Sequence, residues 1–207
     1  MAEDVKPTRA EELRLKEQIE LAESGHSILE KKRDSLIHEF MDLVGEAKDT
    51  KGEVADRFSI ARKRMKEAKA VEGADRLRSV AMATEQEPDI ELESRNIMGV
   101  KVPRIESEEV ELDLGERGFG LLSGSAALDE VIQAYEDLIS AVIEAAEIET
   151  ALMKLLDEID STKRRVNALE NRVIPERKDQ LDYVSQYLEE NEREETFRLK
   201  KIKEKGE

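Results

Sequence analysis

The chain has 207 residues, 41% of them charged and 3% aromatic, with a formal net charge of −16. So few rings argue against a thick globular core, and the acid excess argues against broad phosphate or anionic-membrane binding. The absence of cysteine excludes disulfides, thiol catalysis and cysteine zinc sites.

In chain order, Met1 to Lys6 carries acids and no apolar run, so no signal peptide is read there. No later stretch approaches the ~20 apolar residues of a membrane span, and the expectation is a soluble, cytosolic protein. Pro7-Thr8 then precedes periodic sequence, as at a helix start. Leu15, Ile19, Ala22, His26, Leu29, Arg33, Leu36, Phe40 and Leu43 come next at alternating spacings of four and three, the pattern of a heptad seam. His26 on this seam reads as a polar register-setter. Gly45 and Gly52 are expected to weaken the helix locally, after which it continues through Val54, Phe58, Ala61, Met65, Ala68 and Val71, then Leu77, Val80 and Ala81, and fades near Thr84.

The stretch from about 85 to 124 holds five of the ten glycines and two of the four prolines. Pro88 is expected to stop the incoming helix. Ile97–Pro103 and Val110–Leu114 partly alternate apolar with polar residues and read as the two strands of a small hairpin. Gly115, Gly118, Gly120 and Gly124 make the next segment a loop. A C-terminal arm begins near Ser125. Leu152, Leu155, Ile159, Thr162, Val166, Leu169 and Val173 form its seam, which resumes after Pro175 as Arg177, Leu181, Val184, Leu188 and Asn191. One residue is skipped at Pro175, which predicts a kink and a locally rewound coil.

Two nearly equal arms around a short middle predict an all-α fold: a long antiparallel two-helix coiled coil with a short central β-hairpin and loop region. The expected divisions are 1–84, 85–124 and 125–207. Partner positions would sum to about 211, placing Leu36 near Pro175, with the small hairpin at the tip opposite the chain ends.

Chemistry-bearing motifs are sparse. His26 and His38 are the only histidines and lack zinc-binding spacing. The segment from Gly115 to Gly124 lacks the Gly-Lys-Ser/Thr ending of a phosphate loop and reads as a linker. No catalytic, cofactor or metal residue is expected, and the helical surface acids read as a solvated face. Two basic clusters stand out: Lys163, Arg164 and Arg165, and Arg198, Lys200, Lys201, Lys203 and Lys205 near the C-terminus. They read either as ordinary helix surface or as positive girdles that meet acidic partner loops.

Thr162-Lys163-Arg164-Arg165-Val166-Asn167-Ala168-Leu169-Glu170 with Val173-Ile174-Pro175 resembles the signature segment of the D subunit of archaeal-type and vacuolar-type rotary ATPases. So do Val5-Lys6-Pro7-Thr8-Arg9, Gly25-His26, Leu29 to Asp34, Asn96 to Val100 with Pro103, and Phe197 to Lys203. The acidic composition is most like that of members from salt-adapted archaea. The resemblance implies a non-catalytic central stalk, archaeal in type, that couples ion-driven rotation of a membrane ring to ATP synthesis or hydrolysis. Its implied partners are the hexamer of catalytic A and regulatory B subunits, the F subunit of the stalk, and the socket-forming C subunit on the membrane ring. It implies peripheral placement on the cytoplasmic side of the cell membrane, with no cofactor, no nucleic acid and no membrane insertion. Under this reading Lys163, Arg164, Arg165, Asn167, Arg198, Lys200 and Lys201 contact the hexamer. Leu15, Ile19, Ala22, Leu29, Leu36, Phe40, Ile159, Val166, Val173, Leu181 and Leu188 form the seam. The competing reading is a non-rotary coiled-coil tether or clamp.

Overall fold

The computed structural model describes residues 5–83, 90–107 and 125–205. Their element order is α1 (Arg9–Glu72), α2 (Ala74–Ala83), β1 (Ile90–Ile97), β2 (Val100–Ser107), α3 (Ala126–Ala168), a π-turn (Leu169–Val173) and α4 (Ile174–Lys205). The described residues are therefore all-α apart from one two-stranded antiparallel hairpin.

Helix α1 starts where Pro7-Thr8 predicts. The Thr8 hydroxyl accepts the Glu11 N–H at 3.2 Å, and the Thr8 carbonyl accepts the Glu12 N–H at 3.0 Å, so one of the helix's orphan donors is satisfied by a side chain. Gly45 and Gly52 lie inside α1 without breaking it, because a single interior glycine costs only about 1 kcal/mol and the seam holds the helix on either side. The break comes at Gly73, which adopts φ +84°. Its N–H reaches the Lys69 carbonyl at 3.2 Å, the glycine closure typical of a helix C-terminus, and α2 starts at the next residue.

The chain forms two compact units, residues 1–35 with 159–207, and residues 36–158. In the first, Arg9 pairs with Glu192, Lys178 with Glu23 at 2.7 Å, and His26 lies 4.0 Å from Glu170. Leu15, Ile19, Thr162, Val166 and Val184 are buried there. In the second, Lys51 pairs with Glu149 at 3.6 Å and Arg64 with Glu130 at 3.0 Å. Arg57 donates to the Asp137 carbonyl at 2.7 Å. Ala61, Ala134 and Leu138 form a buried cluster with Val54 and Tyr135 against it. Phe58 and Val71, expected on the continuing stripe, are 51% and 73% exposed. The buried or half-buried positions are instead Thr50, Val54, Arg57, Ala61, Met65 and Ala68, a stripe that admits small residues so that the helices approach closely.

These antiparallel pairs correct the expected register. Partner numbers sum to 194–201 across Arg9–Glu192, Glu23–Lys178, His26–Glu170, Lys51–Glu149, Arg57–Asp137 and Arg64–Glu130, not 211. The higher sum assumes that the two arms end level. They do not: Glu192 already sits beside Arg9, so Arg193–Lys205 runs on past the start of α1 and every residue of it is exposed.

The hairpin also differs from expectation. The turn falls at Met98-Gly99, with φ +50° and +88°, inside the run Ile97–Pro103 that reads as one strand. Two successive positive-φ residues make the mirror-image turn that suits strand twist, and the Asn96 Oδ1 accepts the Gly99 N–H at 2.8 Å. Asn96 and Gly99 supply this turn's chemistry, but the apolar residues around them mask it. Val110–Leu114 lies outside the described residues. The Ile105 N–H donates to the Glu147 carboxylate at 2.8 Å, and Val102 is 3% exposed, so β2 lies against α3 well after its start at Ala126.

The skip at Pro175 has a specific structural form. The Ile174 N–H donates to the Leu169 carbonyl, an i→i−5 bond, and Leu169–Val173 is a π-turn. A π-turn adds one residue to a helix, which is the one residue that the seam skips. Val184 is therefore buried and Tyr183 is 37% exposed. Such a turn leaves one carbonyl without a donor, and a proline within a helix does the same. The helix nevertheless continues through Pro175 to Lys205, so it is re-phased rather than ended.

Candidate partner-contact surfaces

The first candidate surface is positioned by two seam residues. Thr162 and Val166, both 2% exposed, face the opposite helix. The three residues between them span about 200° of helix circumference at 100° per residue and must turn away from it. Lys163, Arg164 and Arg165 are all exposed, as is Asn167. The Arg164 Nε donates to the Asp160 carbonyl at 3.3 Å. Among the described residues, no carboxylate lies within salt-bridge distance of any of the three bases, so they present uncompensated positive charge on a chain of net charge −16.

The second surface is the overhang Arg193–Lys205. Arg198 pairs with Glu194 one turn back at 3.1 Å, while Lys200, Lys201, Lys203 and Lys205 are exposed. The bases sit near a helix C-terminus, where the macrodipole favours them. These bases are plain in the sequence, but the apolar residues among them are not. Leu199 and Ile202 are 68% and 67% exposed, yet they lie at helical spacing from Val184 and Leu188. They continue the seam's stripe past the start of α1. Their periodicity is the available signal, and only the true register shows that no described residue of the opposite arm is paired with it. Phe197, 71% exposed, stands on another face.

The seam residues stand as follows. Leu15, Ile19, Leu36 and Val166 are buried, while Ala22, Leu29, Phe40, Ile159, Val173, Leu181 and Leu188 are half-buried. Two polar groups adjoin the seam in the first unit. The Lys16 ammonium, 2.7 Å from Glu12, holds that carboxyl below its ordinary value against the opposing effect of burial. The Asp34 carboxylate beside Arg33, helped by Glu30, raises the guanidinium's affinity for its proton. His26 is mostly enclosed, with Glu170 as its nearest carboxylate.

Among the described residues there is no group of three or more His, Asp or Glu that could hold a metal ion, and no helix is long and apolar enough to cross a membrane. What these surfaces offer is charge and apolar area for another macromolecule.

Comparison with known proteins agrees with that character. Residues 11–204 match the family model for the D subunit of ATP synthase. The D subunit of the A-type ATP synthase of Halorubrum lacusprofundi is 50% identical over 98% of this chain and 89% of its own length. That of Methanoregula boonei is 50% identical over 98% and 97%, and that of Methanosarcina mazei 48% identical over 97% and 96%. With a match along nearly the whole chain and half the residues shared, the chain belongs to the ATP synthase D-subunit family.

Proposed function

We propose that this chain is the central rotor stalk of an A-type ATP synthase, a non-catalytic subunit that carries torque between an ion-driven ring and a catalytic hexamer. The observation that carries this reading is the family match across residues 11–204, which spans both helical arms and the hairpin. The end bearing Arg9 and Glu192, with the overhang beyond it, enters the hexamer of catalytic A and regulatory B subunits. The middle segment serves the F subunit and the socket-forming C subunit, so that the chain sits peripherally on the cytoplasmic side of the membrane. The division into 1–84, 85–124 and 125–207 then separates two torque-bearing arms from one docking segment. No observation favours a tether or clamp.

The mechanism is one of differential contact. Two paired helices are not symmetric in cross-section, so each of three catalytic interfaces meets a different face. A conformation is favoured only by as much as that face binds it better than the alternatives. Lys163, Arg164, Arg165 and Asn167 form one contact, and Arg198, Lys200 and Lys201 another. Their charges act over about 10 Å at moderate salt, far enough to be felt by acidic loops before contact.

The test is Arg164→Gln with Arg165→Gln, which removes charge and keeps helix propensity. The isolated protein should melt unchanged, because both side chains are solvated. Reconstitution with A and B subunits should show weaker assembly or looser coupling of ATP turnover to rotation, with the defect greater at low salt. Wild-type assembly and coupling at both salts would refute the contact assignment.

A further inference from the structure

The hairpin's two edges are built differently. In a two-residue hairpin the pair flanking the turn, Ile97 and Val100, exchange both backbone bonds, and bonded and non-bonded pairs then alternate along the ladder. With the register Leu92↔Ile105, Ser94↔Pro103 and Asn96↔Lys101, those residues turn their backbone groups outward. Two observations agree with this assignment. Pro103, which has no N–H, falls at an outward position, and the Ile105 N–H leaves the ladder for Glu147. The outer edge of β2 is therefore blunted by a proline and by a carboxylate from α3.

The outer edge of β1 has neither device. Ile90, Leu92, Ser94 and Asn96 point their N–H and C=O groups away from β2, two residues apart, over roughly 20 Å of strand. Among the described residues no strand pairs with that edge. Residues Ile90–Asn96 are all exposed, including Leu92 at 72%. Proteins ordinarily protect such an edge. At the end of the strand, Met98 is held at φ +50° with its side chain half in solvent. The sequence from Glu85 to Arg95 carries five acids and one base.

We propose that the open edge of β1 takes up an extended, basic strand from a neighbouring subunit, extending the hairpin to a three-stranded sheet. The alternating outward N–H and C=O groups specify extended backbone rather than a helix. Glu91 and Glu93 favour Lys or Arg on the incoming strand, and Leu92 offers it one apolar contact. The proposal rests on membership of a multisubunit assembly but not on which subunit supplies the strand.

The test uses the full-length chain, tagged, purified alone and again within the ATP synthase assembly that copurifies with it, and read by amide hydrogen exchange. In the free chain the amides of Leu92, Ser94 and Asn96 should exchange rapidly while those of Glu93, Arg95 and Ile97 are protected. In the assembly the outward amides should slow at least tenfold. Ser94→Pro removes one outward donor and should weaken retention of the neighbouring subunit about tenfold, whereas Ser94→Ala should not. Glu91→Lys should weaken it most at low salt. Outward amides that stay fast in an intact assembly would overturn the proposal. So would outward amides already protected in the free chain, whether by another segment of this chain or, if protection grows with concentration, by a second copy. Failure of the chain to copurify with any assembly would instead refute the stalk reading, so the two failures are distinct.

Discussion

Deleting Asn171 tests whether the π-turn and Pro175 are one device. The deletion removes the extra residue of the turn, and α3 would then run into α4 as regular α-helix. The seam would keep its phase, since the skip and its compensation vanish together. Pro175, however, would stand inside a regular helix, where its missing N–H and the ring clash cost about 3 kcal/mol. The single deletion should therefore destabilise the chain by about that amount. The deletion combined with Pro175→Ala should return to within about 1 kcal/mol of the native chain. If the seam were instead carried past a simple proline kink with no extra residue, the combined variant would rotate α4 by about 100°. That would expose Val184, which is 0% exposed, and the half-buried Leu181 and Leu188. At about 25 cal/mol per Å² of apolar surface, this loss is about 3–4 kcal/mol. Urea unfolding followed by far-UV circular dichroism separates the two cases. A combined variant as unstable as the single deletion, or less stable, would refute the reasoning. Deleting Asp182 is the control, because nothing downstream absorbs the shift and Val184 must leave the seam.

Leu15→Ala should destabilise the chain by about 2–5 kcal/mol, because its side chain is 1% exposed and the cavity cannot fully collapse; urea titration measures it. Glu12→Gln should lower the melting temperature at neutral pH. The carboxyl's proton affinity is depressed in the fold, so its stabilisation is present above the ordinary value of 4.5 and is lost as pH falls through the lower folded value. Melting curves of the two proteins should thus converge in acid, and a constant difference down to the lowest pH would count against the Lys16 pairing. Met98→Asn should stabilise the hairpin by about 1 kcal/mol, since asparagine tolerates positive φ better than methionine. Slower exchange at the Arg95 and Ile97 amides would show it, and unchanged or faster exchange would argue against strain at Met98.

Much of this architecture is legible in the sequence because helices and seams are local and periodic. Leu15, Ile19, Leu36 and Val166 announce themselves by spacing alone, Thr8 by its capping chemistry, and Lys163 to Arg165 by standing between two seam positions. Even the skipped residue at Pro175 is visible as a fault in the period. What the period cannot report is how far one helix slides along the other. Heptads look alike one turn further on, so the expected register depends on level ends, and level ends conceal the overhang Arg193–Lys205 with Leu199 and Ile202 on it. Nor can spacing say how a phase fault is absorbed, since a kink and a π-turn give the same skip; the i→i−5 bond from Ile174 to Leu169 decides it. The hairpin is legible as strand-forming sequence, but its turn is hidden by apolar neighbours. Its two edges become unlike only when Glu147, forty-two residues beyond Ile105, is brought against one of them. Local composition determined the elements, and long-range contact decided their register and which surfaces they leave open.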